Sequence, residues 1–126
     1  MVDMAAKDVL GARGESIAAD HLTRRGLRVL DRNWRGPSGE LDLVLQDPAS
    51  REVVVAEVKT RAGVAFGHPF EAITAAKLAR LRRLAGEWCD AHPELAGAHP
   101  RVRIDAVAVI APRDRPAVIE HLRGIF

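Results

Sequence analysis

Two short stretches bring together side chains suited to phosphate chemistry: Gly39-Glu40-Leu41-Asp42-Leu43 and Glu57-Val58-Lys59. Side chains along a strand alternate faces, so Glu57 and Lys59 point the same way. Asp42, on the preceding strand, meets them across a hairpin. Two carboxylates and an ammonium at one spot suit phosphodiester hydrolysis. The carboxylates can hold Mg²⁺ or Mn²⁺, hard cations that prefer oxygen ligands and keep several waters. Such a metal activates a water and neutralises charge developing on the phosphate. The lysine can orient or help deprotonate that water, or stabilise the transition state. The plainer reading is a solvated hairpin face with a cross-strand ion pair worth about 0.5 kcal/mol.

Three features weigh against the plainer reading. Asp42 and Glu57 interrupt otherwise apolar strands, where an unpaired charge is costly. Glu15 lies at the edge of the first helix's apolar stripe, beside Leu22, where a carboxylate could face the sheet; an acid there also serves the helix dipole. Lys77 falls between Ile73 and Leu81 in another apolar stripe, so it either snorkels to the rim or reaches toward the acids.

The elements that must position these groups follow from periodicity and turn residues. Leu10, Gly14, Ile17, Ala18, His21 and Leu22 share one face of a helix over about 7–25, stopped by Gly26. Residues 27–35 alternate as a strand, with Leu27, Val29 and Asp31 on one side, and Gly36-Pro37-Ser38-Gly39 turns the chain. Strands follow at 41–46 and 52–60, the second rich in β-branched valine, joined by a turn short enough to force antiparallel pairing. A glycine-containing loop over 61–69 leads to a long helix over about 70–91, with Ile73, Leu81, Leu84 and Trp88 as its core stripe. A loop over 92–100 precedes strands at 101–110 and 117–122. The order αβββαββ gives an α/β fold, a central mixed β-sheet with helices packed on it, in a single domain over 1–126.

Composition narrows the class. The chain has 126 residues, 48% hydrophobic and only 4% aromatic, so the core is built from Ala, Val, Leu and Ile. No stretch reaches the roughly 18 apolar residues of a membrane span, and no signal peptide is legible, so a cytoplasmic protein without membrane association is expected. A lone cysteine, Cys89, allows no internal disulfide. Net charge of +2 does not by itself demand nucleic acid. The bases are nearly all arginine, and Lys7, Lys59 and Lys77 are the only lysines. The five histidines show no zinc spacing. His68 reads as the residue that opens a helix, and Ser38 and Cys89 lack any triad context.

In chain order, Arg13-Gly14-Glu15, Arg32-Asn33-Trp34-Arg35, Gly39-Glu40-Leu41-Asp42-Leu43, Glu57-Val58-Lys59-Thr60-Arg61, Phe66-Gly67-His68-Pro69, Lys77 and Arg103-Ile104-Asp105 form a combination more specific than any of its pieces. It resembles the bacterial YraN-type family of uncharacterised proteins, which is similar in turn to archaeal Holliday-junction resolvases and the restriction-endonuclease-like group. The likeness runs from about residue 10 to the C-terminus. It implies a restriction-endonuclease-like core, with Asp42 and Glu57 as metal ligands, Glu15 completing the acidic cluster and Lys59 as the catalytic lysine. Lys77 matches a family lysine to which the resemblance gives no role.

Arg32, Arg35, Arg61 and Lys77 are the candidate nucleic-acid contacts, taking backbone phosphates without sequence preference. Trp34 is a candidate for base stacking or for the core, and Asp105 for a structural pair near Arg103. The expected function is Mg²⁺- or Mn²⁺-dependent endonucleolytic hydrolysis of DNA rather than RNA, on branched or otherwise structured substrates. The alternatives are a nucleic-acid-binding module that turns over slowly or not at all, and an interaction protein whose acidic hairpin is structural. The resolvase likeness also implies a homodimer, since symmetric cutting needs two sites about a two-fold axis. Ile125-Phe126 and Trp34 are the apolar groups such an interface would cover.

Overall fold

The computed structural model describes residues 2–63, 65 and 67–125, with backbone alone for residues 2–5 and 7. Phe66 and Phe126, both named above, lie outside the described residues. A five-stranded sheet has the order β1(Arg28–Gly36), β2(Gly39–Asp47), β3(Glu52–Arg61), β4(Val102–Ile110) and β5(Val118–Leu122). All neighbours pair antiparallel except β3 and β4, which run parallel. Helix α1(Val2–Arg24) covers one face. The crossover from β3 to β4 carries a 3₁₀ turn (Pro69–Ala72), α2(Ala75–Ala91) and the single turn α3(Pro93–Ala96), and α2 covers the other face. This is the expected α/β architecture.

Each face has its own apolar core. Ala18, Ala19 and Leu22 of α1 meet Leu43, Leu45, Val54, Ala56, Val58, Val107 and Val109. Leu81, Leu84, Ala85 and Trp88 of α2 meet Leu41, Val44, Val53, Val55 and Ile104. The alternation of β3 is strict: Val53 and Val55 face α2, while Val54, Ala56 and Val58 face α1. Glu57 and Lys59 therefore continue the α2-facing row.

Helix α1 is stopped as its sequence suggests. Gly26 takes a φ of +96°, the Gly26 N–H donates to the Thr23 carbonyl at 3.0 Å, and the Leu27 N–H to that of Leu22 at 3.1 Å. That is the paired bonding of a glycine C-cap, with Leu22 and Leu27 packed together beside it. Gly14 sets how close α1 lies to β3. A β-carbon there would collide with the Thr60 side chain, and the stiff threonine cannot swing aside cheaply. Gly14→Val is expected to lower stability by about 1–3 kcal/mol through overpacking. Gly11, where a β-carbon meets nothing within 4 Å, should instead gain about 0.5–1 kcal/mol as alanine. Urea midpoints measure both; equal midpoints for Gly14→Val and wild type would refute the contact.

Three expectations need correction. The helix expected over 70–91 is broken: Ile73 is extended and Thr74 caps α2, its hydroxyl accepting from the Lys77 amide, so Ile73 is not part of the helical stripe. The segment 92–100 is not all loop, because α3 forms behind Pro93. Asp31 does not share a side with Leu27 and Val29. The register shifts between Val29 and Asp31, and this bulge turns Asp31 to the α2 face, where it accepts from Trp88 Nε1 at 2.9 Å.

Candidate active site

The site lies where β2 and β3 part. Their pairing runs from Asp47 opposite Glu52 to Leu43 opposite Ala56 and goes no further, although β2 stays paired with β1 to the end of the hairpin. Beyond that fork Val58 is not in the backbone ladder with β2. Its N–H donates to Asp42 Oδ2 at 2.8 Å. Asp42 also lies close enough to the Glu57 carboxyl for the two to influence each other's charge, and Glu57 is only 4% exposed. On the other side of Glu57, Oε2 receives Lys77 Nζ at 2.6 Å and Lys59 Nζ at 3.5 Å. Parallel pairing sets Ala106 beside Glu57 and Ala108 beside Lys59, and these small neighbours leave room for the charged chains. A cleft of about 390 Å³ opens here, lined by Glu40, Asp42, Glu57, Lys59, Lys77 and Arg80 among others.

Burial and charge shift the titrations in this cleft. Asp42 is pushed up to about 7, first by burial and then by the Glu57 charge, against the opposing Val58 amide. Lys59 is lowered from the ordinary lysine value: burial and its contact with Lys77 outweigh the pull of Glu57. For Lys77 burial is outweighed by the hydrogen bond and charge of Glu57, so it is raised and stays an ammonium.

Glu15 reaches the fork from the opposite face. It lines a second cleft of about 540 Å³ with Val58, Lys59, Thr60 and Arg61. Its carboxyl is raised by burial, against a hydrogen bond from Asn33, and further by the charges of Glu40 and Glu57. Glu15 thus feels the pair electrostatically. Among the described residues no set of three or more His, Cys, Asp or Glu side chains is arranged to share a cation. The donor set is the Asp42–Glu57 pair. Two adjacent hard-oxygen donors are the kind of set that Mg²⁺ or Mn²⁺ takes, completing its shell with water, once the carboxyls are deprotonated.

The arginines named from the sequence are less uniform. Arg32 is exposed and close enough to Glu15 to lower its titration. Arg61 is exposed and donates to the carbonyl of Thr60. Arg35 pairs with Glu40 at 2.7 Å on the surface. Lys77 points into the acidic cleft, the second of the two fates its stripe allowed. Arg80, not singled out in the sequence, lines the same cleft; it stands one turn beyond Lys77, the spacing at which helix neighbours share a face.

Trp34 is half-buried against the α2-side core, its ring 6.1 Å from that of His92. Ile125 packs on the same core and its N–H donates to Ile104. Both are half-buried. Asp105 is fully buried and holds Arg103, His121 and the Gly124 amide. Arg103 also reaches Asp47 and Glu52, so this network ties strand ends together.

The sequence of residues 14–109 matches the model of the family described as "Uncharacterised protein family UPF0102". The chain belongs to this family. UPF0102 proteins of Paenarthrobacter aurescens and Beutenbergia cavernae are each 54% identical to it, over 99% and 97% of this chain respectively and 99% of each relative. A UPF0102 protein of Frankia alni is 50% identical over 98% of both. This is the YraN-type family that the motifs resemble. The UPF0102 match takes in Glu15, Asp42, Glu57, Lys59 and Lys77, so the whole cleft lies within the family's shared segment. No helix among the described residues is long and apolar enough to cross a membrane.

Proposed function

We propose that this protein is a divalent-metal-dependent endonuclease that hydrolyses DNA phosphodiester bonds. One observation carries the reading: the carboxyls of Asp42 and Glu57 line one cleft with the amines of Lys59 and Lys77, both of which stand within 3.5 Å of Glu57 Oε2. Burying acids costs stability unless the arrangement does something in return, and perturbed titrations gather at functional sites. Asp42 and Glu57 would hold Mg²⁺ or Mn²⁺, with Glu15 supplying further negative field. Bound there, the ion supplies Lewis-acid polarisation of the phosphate and lowers the pKa of a water.

The chain's own groups do the rest. Hydrolysis forms one P–O bond to water and breaks one ester P–O bond. The attacking water must lose a proton, and Lys59, lowered from the usual lysine range, takes it. Arg32 and Arg61, exposed beside the second cleft, hold flanking backbone phosphates, giving affinity that falls with salt. Arg35 joins them only by giving up Glu40.

A second reading has its own support. With Lys77 seated on Glu57 at 2.6 Å, the cleft is electrostatically complete, as it would be in a nucleic-acid-binding module that does not turn over. Incubation with duplex, single-stranded, flap and four-way-junction DNA, with and without Mn²⁺, separates the two. The enzyme reading expects Mn²⁺-dependent nicks in at least one substrate. Salt-sensitive binding with no cleavage of any substrate would move the conclusion to the binding module.

A further inference from the structure

We propose that Lys77 is a built-in stand-in for the divalent cation, holding Glu57 until a DNA phosphate draws it away, so that metal and DNA enter the cleft cooperatively. This rests on the reading of Asp42 and Glu57 as the metal pair.

The geometry separates the roles of the two lysines. Lys59 is two residues from Glu57 on the same strand, and its amine stands 3.5 Å from Oε2. Lys77 comes from another element, the first turn of α2, whose position is set by the Thr74 cap. It makes the closer contact, 2.6 Å, to the same oxygen, with its side chain 24% exposed. An ammonium so near a metal-binding oxygen is a like-charge competitor for the incoming cation, in a cleft where charges are weakly screened. Its four-carbon stem lets the head group pivot while the helix stays still. The cleft mouth also holds Arg80, so a phosphate entering there meets a cationic rim and gives the Lys77 ammonium another anion. Departure of Lys77 then frees Glu57. Linkage makes the effect reciprocal: DNA tightens metal binding by the same factor by which metal tightens DNA. Lys77 is therefore a positioning residue for the metal.

Mn²⁺ binding measured by calorimetry at pH 8, with and without a cleavage-resistant phosphorothioate duplex, tests this. In the wild type the duplex should tighten Mn²⁺ about tenfold or more. Lys77→Met, which keeps the apolar stem, should bind Mn²⁺ about tenfold more tightly than wild type without DNA, and the duplex should add only about twofold. Lys77→Gln gives the same comparison with a group that still hydrogen-bonds Glu57, and Lys77→Arg should behave as wild type. Equal Mn²⁺ affinity of wild type and both neutral variants without DNA overturns the inference while leaving the metal pair standing. If Asp42→Asn binds Mn²⁺ as well as the wild type does, the metal reading fails and this inference fails with it.

Discussion

At pH 8, Asp42→Asn is expected to cleave in Mn²⁺ on the order of 10³-fold more slowly than wild type, a loss of about 4 kcal/mol of transition-state stabilisation, and yet, with divalent cations chelated, to unfold at a higher temperature. Both effects follow from one side chain. The carboxyl that would bind the metal is half-buried beside Glu57, which pushes its titration up to about 7 in the folded chain, against an ordinary value of 3.8. Because the folded value is raised, the Asp42 proton's contribution to stability is fully present below about pH 4 and is lost as pH rises through about 7. Wild-type stability should therefore fall across that window. Asparagine reproduces the protonated acid at every pH: its carbonyl can accept from the Val58 N–H and its amide can donate to Glu57. The gain at pH 8 should be about 1–3 kcal/mol, below the roughly 4 kcal/mol that an isolated group with this shift would give, because the pair shares the effect. For a chain this size that is a rise of about 4 °C per kcal/mol. A variant that is less stable at pH 8, or that cleaves as fast as wild type, contradicts the assignment. Stability gained where activity is lost is the common mark of a strained functional site.

What the sequence could reveal here depended on whether a feature was local. The parity of β3 was legible because Val53, Val54 and Val55 alternate between the two cores, so Glu57 and Lys59 had to share a face. The stop at Gly26 was legible for the same reason, since the bonds it needs lie within the preceding turn. Asp31 was not, because its face depends on a bulge, and its partner Trp88 lies on a helix far along the chain. The apolar spacing of Ile73 with Leu81 and Leu84 argued for a continuous helix, and the extended Ile73 and the Thr74 cap overrode it. Lys77 had two fates on its stripe alone. The sheet decided between them by placing α2 over the face that carries Glu57. The fork between β2 and β3 had no sequence signal, since nothing in Gly39-Glu40-Leu41-Asp42 says that Val58 will stand outside the ladder with β2 and its amide take a side chain. That Trp34 and Ile125 pack on the α2-side core was not legible, because their partners lie far along the chain.

Lys59→Met should slow cleavage by on the order of 10²–10³, comparable with the loss of a charge-stabilising donor in other sites, while Mn²⁺ affinity stays within about threefold. The separation follows from position: Lys59 Nζ stands 3.5 Å from Glu57 Oε2 and does not touch the acid pair more closely than Lys77 does. Its chemical role can be read from the pH profile. Burial and the neighbouring Lys77 hold Lys59 below the ordinary lysine value, so its neutral amine is populated at lower pH than a surface lysine's. If that amine accepts the water's proton, the wild-type rate rises with pH through the Lys59 titration and levels above it. The methionine variant should lack that rise. Lys59→Arg keeps the charge but has no accessible neutral form, so it should be as slow as the methionine variant. Recovery by arginine to within tenfold of wild type would instead make Lys59 a fixed charge facing the phosphate. Full activity in Lys59→Met would remove this lysine from the reaction, and with it the reason to read the Glu57-Val58-Lys59 strand as a nuclease's.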